Sequence, residues 1–182
     1  MLIVGEIPSR SRPGSRVIDL GTGTGRHAIF LAERGYEVDA IDASPRAIAE
    51  LRSLLAGSGL PIQAEVRDAC STDIDFTRYS VVICTFVLHF LPAARASALL
   101  ARARAEAPPG TLHAISVITA QGEFLGLSVE GQFYPEPGEV ADEYRAAGWT
   151  VHHAWDAEID AKAKRADGSA MRNVVSFLLA GS

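Results

Sequence analysis

The residues with the clearest chemical meaning lie near the amino terminus, in the stretch Asp19-Leu20-Gly21-Thr22-Gly23-Thr24-Gly25-Arg26. Glycines at alternating positions let the backbone turn sharply and let a ligand lie against it. The apolar run 17–20 before them is typical of a buried parallel strand, and helix-forming residues follow over 26–34. The pattern predicts a strand, a glycine turn and a helix whose free amide groups face the turn.

The class of ligand follows from which residues surround the glycines. A dinucleotide site of the form G-x-G-x-x-G would need its third glycine at position 26, which is Arg26. Asp19 stands two residues before the first glycine, and a buried carboxylate would repel a pyrophosphate. The stretch therefore favours a cationic ligand without phosphates. The alternative is a glycine turn that only joins strand to helix.

Two further carboxylates follow the next two predicted strands. The strand over 36–41 ends at Asp42, which could accept hydrogen bonds from both hydroxyls of a ribose. The alternative for Asp42 is a favourable charge at the start of a helix, for which Ser44 and Pro45 are the cap and first residue. The strand over 61–66 is followed by Asp68, which could accept the exocyclic amine of an adenine.

Composition limits the class of protein and its setting. The chain has 182 residues, 48% of them hydrophobic, and a net charge of −5, so we expect one globular domain over residues 1–182 and no partnership with nucleic acid or anionic membrane. Residues 1–15 contain turn signals and are predicted to be an N-terminal loop or extension. Two unpaired cysteines and the lack of a signal peptide indicate a reduced, cytoplasmic setting.

The remaining elements alternate along the chain. Strands are predicted over 79–85 and 111–119, with helices over 92–107 and 138–147. The run 79–85 is the most apolar and is expected to be central in the sheet. Two last strands, 149–159 and 171–179, are joined by a tight turn and must be antiparallel to each other.

The side of the sheet that would hold a second substrate is less clearly marked. Phe86 and His89 follow the fourth strand; His89 is a candidate general base or pocket wall, or else a structural histidine bonded to local backbone. The long connection 120–137 contains Phe124 and Tyr134. It could form a pocket for the second substrate together with its lid, or it could be a buried loop or a dimer contact. Lys162 in the last hairpin could attract an anion or be a solvated turn residue.

The glycine motif with Asp19, Asp42 and Asp68 resembles the class I S-adenosylmethionine (SAM) methyltransferases. From Val17 to Ala180 the order and spacing look like the bacterial tellurite-resistance methyltransferases. The resemblance implies an α/β, Rossmann-like doubly wound sheet of about seven strands, mostly parallel with an antiparallel last strand. It implies SAM as cofactor and S-adenosylhomocysteine (SAH) as product. The predicted cofactor residues are Asp19, Gly21, Thr22, Gly23, Gly25, Arg26, Asp42, Ala43, Asp68, Ala69, Thr85 and Phe86.

The acceptor is constrained by where the sequence departs from these families. The amino-methylating DNA enzymes carry Asp/Asn-Pro-Pro-Tyr/Phe where this chain has residues 84–87, so a nucleic acid base is disfavoured as substrate. The tellurite family has a substrate His and Arg on the last hairpin, where this chain has Lys162 and Ala170. Adjacent His152 and His153 on a strand would point to opposite faces, so no metal site is expected.

Three functions remain open from the sequence: methyl transfer to a small-molecule acceptor, methylation of tellurite or selenite, and SAM binding without turnover. A homodimer is possible. The candidate catalytic residues are His89 and Lys162, and the candidate substrate-binding residues are Phe86, His89, Phe124, Tyr134 and Lys162.

Overall fold

A computed structural model describes residues 3–165 and 167–182, without the side chains of 162–164. Its strands are Arg16–Leu20 (β1), Glu37–Asp42 (β2), Ile62–Val66 (β3), Val81–Thr85 (β4), Leu112–Ile118 (β5), Thr150–Lys164 (β6) and Ala170–Gly181 (β7). Its α-helices are Arg26–Ala32 (α1), Pro45–Leu55 (α2), Ala93–Glu106 (α3) and Glu139–Ala146 (α4). No helix within the described residues is both long and apolar enough to cross a bilayer.

The strands form one sheet in the order β3-β2-β1-β4-β5-β7-β6. The pairs among β1 to β5 are parallel, whereas β7 is antiparallel to both β5 and β6, so β6 runs with the first five strands. The predicted α/β fold with an antiparallel last strand is confirmed. The apolar β4 is the middle strand, as its composition predicts.

Two apolar clusters cover the two faces of the sheet. One packs α3 and α4 against it, with Tyr144 and Phe76 fully buried. The other packs α1 and the N-terminal segment, with Tyr36 and Leu31 fully buried. Helices on both faces leave the carboxyl ends of the parallel strands as the edge where ligands bind in such sheets.

The prediction of a loop over residues 1–15 is wrong for part of that range. Val4–Ser9 form a 3-10 helix, and Ile3, Val4 and Ile7 are buried in the cluster that packs on α1. Pro8 has no amide hydrogen to donate but fits within a short helix, because its ring already holds a helical φ. The apolar spacing of these three residues, more than the turn signals, decides the conformation.

The β6–β7 hairpin is longer than predicted and extends past the end of β5. Ile118 is the last residue of β5 to pair with β7, at Val175, while pairing between β6 and β7 continues to Lys164 and Ala170. Because β6 is parallel to the first five strands, this extension lies at the carboxyl edge of the sheet. The connection after β5 contains a 3-10 helix, Glu123–Leu127, that packs against β7.

Candidate active site

The glycine turn after β1 leaves open space above its second glycine. Gly21 and Gly23 have φ of +68° and +57°, which disfavours any side chain. A Cβ on Gly21 would lie 2.3 Å from Cγ2 of Val87, so the segment after β4 packs directly on the turn. A Cβ on Gly23 would meet nothing within 4 Å. The backbone at Gly23 is therefore accessible to a ligand.

Asp42 joins the glycine turn to the end of β2. Its carboxylate accepts hydrogen bonds from the backbone N–H of Gly23 and of Ser44, each at 2.8 Å. Ser44 in turn caps α2 by accepting from the Ala47 N–H at 3.2 Å, as its position before Pro45 predicts. The two bonds hold the carboxylate in place, and each oxygen keeps a lone pair for a ligand.

Asp68 is held in a similar way at the end of β3. One oxygen accepts from the Cys70 N–H at 2.8 Å, and the other accepts from the Arg95 guanidinium on α3 at 2.6 Å. The hydrogen bond from Arg95 lowers the pKa of Asp68, so the group is ionised at neutral pH.

Asp42 and Asp68 open into one cleft of about 590 Å³ at the carboxyl edge of the sheet. No lysine or arginine is among the described residues that line it. Two carboxylates among the lining residues suit a positively charged ligand without phosphates, although Asp68 is already paired with Arg95. The carboxylate acceptors and the open backbone fit SAM. The lining residues are Gly21, Gly23, Asp42, Ala43, Ser44, Asp68, Ala69, Phe86, Val87, Phe90 and Leu91.

Asp19 lies beneath the turn, outside the residues that line the cleft. It is 1% exposed and accepts a hydrogen bond from the Thr22 hydroxyl at 2.7 Å. Burial, helped by the nearby charge of Asp42, raises the pKa of Asp19 to about 6. A cation bound above the turn would favour its ionised form.

Phe86 borders both this cleft and a second, smaller recess. It has φ of +57°, the one described residue other than glycine with a positive φ. Such strain persists where the surroundings impose it, and here the Phe86 N–H donates to the Ser116 carbonyl at 2.9 Å. The recess, of about 20 Å³, is lined by Ile3, Arg26, His27, Thr85, Phe86, Ser116 and Phe177.

Four residues of this recess were not predicted from the sequence: the apolar Ile3 and Phe177, and the polar His27 and Ser116. His27 is 8% exposed and hydrogen-bonds through Nδ1 to the Thr85 hydroxyl at 3.0 Å. Ser116 is 1% exposed and stands beside Thr85 in the strand register. A signal for Ser116 existed, because it is a polar residue between the apolar Ile115 and Val117 of β5. Arg26 and Thr85, predicted as cofactor contacts, line this recess.

His89 is buried against aromatic rings. It is 3% exposed, its ring centroid lies 4.2 Å from that of Phe90 and 6.2 Å from that of Tyr134. Its Nδ1 has no hydrogen-bond partner among the described residues. The alternative prediction, a structural histidine bonded to local backbone, therefore does not hold for Nδ1. Burial lowers the pKa of His89 to about 4, and the imidazole is neutral at pH 7.

The predicted aromatic residues of the acceptor side share one face. Phe86, Phe124 and Tyr134 all pack, half-buried, against the apolar cluster on the α1 side of the sheet. Phe124 is fixed by its N–H, which donates to Asn173 Oδ1 on β7 at 2.9 Å. The side chain of Lys162 lies outside the described residues.

Comparison with known sequences identifies the family. The methyltransferase domain family matches residues 17–110. Hemagglutinin 1 of Eikenella corrodens is 36% identical over 99 residues, which are 52% of this chain and 31% of that protein. The carboxy-S-adenosyl-L-methionine synthase of Geobacter metallireducens is 33% identical over 118 residues, 62% of this chain and 48% of that protein. The chain thus spans between a third and a half of these curated relatives.

Solved structures show the same fold at low sequence identity. TehB from Haemophilus influenzae superposes with a TM-score of 0.84 at 20% identity, over 98% of this chain and 61% of that one. The 1,6-didemethyltoxoflavin-N1-methyltransferase of Burkholderia thailandensis, solved with S-adenosylhomocysteine, gives 0.67 at 20% identity, over 97% and 76%. The resemblance to the tellurite-resistance enzymes is thus matched in fold. The chain belongs to the methyltransferase domain family, and it has the fold of the class I SAM-dependent methyltransferases.

Proposed function

We propose that this chain is a SAM-dependent methyltransferase and that it acts on a small-molecule acceptor, which approaches the cleft from the side of Phe86. The observation that carries the proposal is the position of Phe86, which borders both the carboxylate-lined cleft and the recess beyond it. A cofactor in the cleft and an acceptor head group at the recess would then be neighbours. Holding two reactants in contact is a large part of what a methyltransferase must supply.

The chemistry of the transferred group comes from the cofactor, since SAM carries its methyl group on a sulfonium and is already activated. The chain's own residues bind and orient. Asp42 and Asp68 present fixed lone pairs to the nucleoside, Gly23 leaves its backbone open, and ionised Asp19 favours positive charge above the turn. The apolar Val87 and Phe90 line the same cleft, and a bound cofactor would cover them and displace water from this side.

The size and walls of the acceptor side support a small molecule. The recess is about 20 Å³, room for little more than one heteroatom, and aromatic side chains lie around it. The connection after β5 and the β6–β7 hairpin stand over this edge of the sheet and limit its width. The absence of the Asp/Asn-Pro-Pro motif at residues 84–87 argues against a flipped nucleic acid base.

Tellurite or selenite as acceptor is the second candidate. The fold shared with TehB favours it. The residues at the tellurite family's substrate positions, Lys162 and Ala170, argue against it. SAM binding without turnover is the third candidate, and the relatives named as carboxy-S-adenosyl-L-methionine synthases make altered chemistry on SAM worth testing.

Calorimetry tests the cofactor first. We expect SAM and SAH to bind and ATP and NAD to bind at least a hundredfold more weakly, because the described residues that line the cleft include two carboxylates and no lysine or arginine. SAM consumption is then followed with a metabolite panel and with tellurite, and the products are identified by mass. Methylation of an organic acceptor supports the proposal. Methylation of tellurite alone, a modified SAM, or SAM binding with no turnover would each replace it with another candidate.

A further inference from the structure

The recess beyond Phe86 contains a hydrogen-bond chain with a definite direction. The Arg26 guanidinium lies 3.2 Å from His27 Nε2. Arginine can only donate, so Nε2 must accept. His27 is buried beside that guanidinium, which keeps its pKa at about 4 and its ring neutral at pH 7. A neutral ring that accepts at Nε2 carries its proton on Nδ1.

The direction continues to Thr85. His27 Nδ1 lies 3.0 Å from the Thr85 hydroxyl and, carrying the proton, donates to it. The Thr85 hydroxyl therefore accepts from His27 and has its own proton left to donate. In the part of the chain that the structure describes, no protein group takes that proton. These hydrogen bonds thus run from the cation at Arg26, through His27, to the Thr85 hydroxyl as a polarised donor.

A second hydroxyl lies at the same place without a partner. Ser116 is the neighbour of Thr85 in the parallel register of β4 and β5, and it is 1% exposed. Its Oγ makes no hydrogen bond with any described residue. A buried hydroxyl without a partner is costly and uncommon, which points to a ligand atom that completes it.

We propose that the recess receives the reacting atom of the methyl acceptor as an anion, an ionised hydroxyl or thiol, to which Thr85 and Ser116 donate hydrogen bonds. Among the described residues that line the recess, Arg26 is the one that is charged, so a negative atom is favoured and an ammonium is not. His27 and Arg26 act as positioning residues through Thr85. The inference rests on the proposed function and specifies its acceptor.

The step balances without a base in the protein. The acceptor loses its proton to water before or during binding, because the donors stabilise the anion. A lone pair of the anion then forms the bond to the methyl carbon while the carbon–sulfur bond breaks. The electrons of that bond remain on sulfur, so one anion and one sulfonium give two uncharged centres. No proton moves in the step.

Aromatic walls indicate what carries this atom. The Phe177 ring meets Phe86 edge-on at 6.5 Å between centroids and stacks on Trp155 at 4.9 Å. Phe86 and Phe177 both line the recess. A flat aromatic body with a hydroxyl or thiol at one end fits a polar floor between such rings. We therefore choose 4-nitrophenol as probe, since its anion is coloured, and the isosteric 4-nitroaniline as the neutral comparison.

The test uses the intact chain saturated with SAH. We expect the pKa of bound 4-nitrophenol to fall by about one, a tenfold gain for the anion, and 4-nitroaniline to bind about tenfold more weakly. Thr85→Val should abolish the fall in pKa and Thr85→Ser should keep it. Ser116→Ala should weaken the nitrophenolate about fivefold with an unchanged or higher melting temperature, which a purely structural serine would not do. Thr150→Val, at the opposite edge of the sheet, is the control and should change nothing.

The inference is overturned if 4-nitroaniline binds as tightly as the phenolate, or if Thr85→Val and Ser116→Ala bind the phenolate like the wild-type chain. Those results leave the proposed function standing, since SAH still binds. Failure of the wild-type chain to bind SAH would overturn the proposed function, and with it this inference.

Discussion

Glu123 and Arg165 form a two-point ion pair, with Arg165 nitrogens 2.8 and 2.6 Å from the two carboxylate oxygens. The pair joins the 3-10 helix after β5 to the hairpin between β6 and β7. The hydrogen bond from Arg165 lowers the pKa of Glu123, so the pair is present at any pH near neutral. At its other end the same connection is held by the Phe133 N–H, which donates to the Leu91 carbonyl at 3.0 Å.

Replacing Glu123 with glutamine should loosen the acceptor side and leave the cofactor side intact. Without the charge the two-point pair is lost, so amide hydrogen exchange should speed up in residues 121–128 and in the hairpin. We expect the KM for the acceptor to rise several-fold and the SAH affinity to stay constant. Glu130→Gln, an exposed position in the same connection, is the matched control. Unchanged exchange and unchanged KM would show that the ion pair does not order this wall.

Gly23→Ala should remove cofactor binding from a chain that still folds. The new methyl group meets no protein atom within 4 Å, so the folding cost is the positive φ of +57°, about 1–2 kcal/mol. The methyl group does fill the space that the turn leaves for a ligand. Gly57→Ala is a matched control, because it has φ of +76°, equally open space and no part in the cleft. Equal SAH affinity in the two variants would contradict the placement of the cofactor.

Asp42→Asn should weaken SAH binding by about tenfold or more. An amide replaces one carboxylate oxygen with an NH2 group, which faces the N–H of either Gly23 or Ser44 and cannot accept from it. Both the order of the turn and one acceptor for the ligand are lost. Glu50→Gln on the exposed side of α2 serves as control. Calorimetry with SAH measures the difference, and an affinity like that of the control would remove Asp42 from the site.

Asp19→Asn should separate stability from binding. The pKa of Asp19 is 3.8 in the unfolded chain and about 6 in the fold, so the unfolded chain holds fewer protons between those values. The free energy of unfolding therefore falls as pH rises from about 4 to about 6, by about 1–3 kcal/mol at pH 7. Asp19→Asn should therefore raise the free energy of unfolding by that amount at pH 7 and change it little at pH 4.

The affinity for SAM should also depend on the ionisation of Asp19, but it should rise with pH where the free energy of unfolding falls. A cation above the turn prefers the Asp19 carboxylate, so the SAM affinity of the wild-type chain should decline as pH falls below about 6. Asp19→Asn should bind weakly at every pH. Urea unfolding at pH 4.5 and 7, with calorimetry at the same values, measures both effects. A stable variant that binds SAM normally would show that Asp19 has no part in charge recognition.

The cofactor half could be predicted because each feature is local in sequence. Gly21 to Gly25, Asp42 and Asp68 all follow directly from short strands, and the carboxyl ends of parallel strands must meet at one edge. The placement of Gly21, Gly23, Asp42 and Asp68 in one cleft then required only the strand order. The exact partner of each carboxylate, such as Arg95 for Asp68, depends on how α3 lies on the sheet and left no signal in the sequence.

The acceptor half could not be predicted in the same way, because its contacts are distant along the chain. The recess joins Ile3, His27 and Ser116, which belong to three separate elements. The hairpin was predicted too short, because the sequence placed a turn between Ile159 and Met171, whereas the backbone pairing of β6 with β7 continues to Lys164 and Ala170. Pairing of Glu123 with Arg165 depends on that extra length.

His89→Leu addresses the histidine that the sequence marked as a candidate base. The imidazole is 3% exposed with an unpartnered Nδ1, so leucine removes a buried polar group, and stability at pH 7 should hold or rise by about 1 kcal/mol. The pKa is 6.5 in the unfolded chain and about 4 in the fold, so the wild-type chain loses stability as pH falls from about 6.5 to 4. The variant should lose less over that range.

Enzyme activity shows whether His89 is a wall of the acceptor pocket or a general base. A group with a pKa of about 4 is a weak base at pH 7, and an acceptor that binds as an anion needs none, so we expect kcat/KM of His89→Leu to fall less than about tenfold. His152→Leu, exposed on β6, is the control. A fall of a hundredfold or more, together with a wild-type rate that rises with pH through about 4 and a variant rate that does not, would assign His89 the proton instead. That result would also mean that the acceptor binds in its protonated form, which contradicts the direction of the hydrogen bonds from Arg26 through His27 to Thr85.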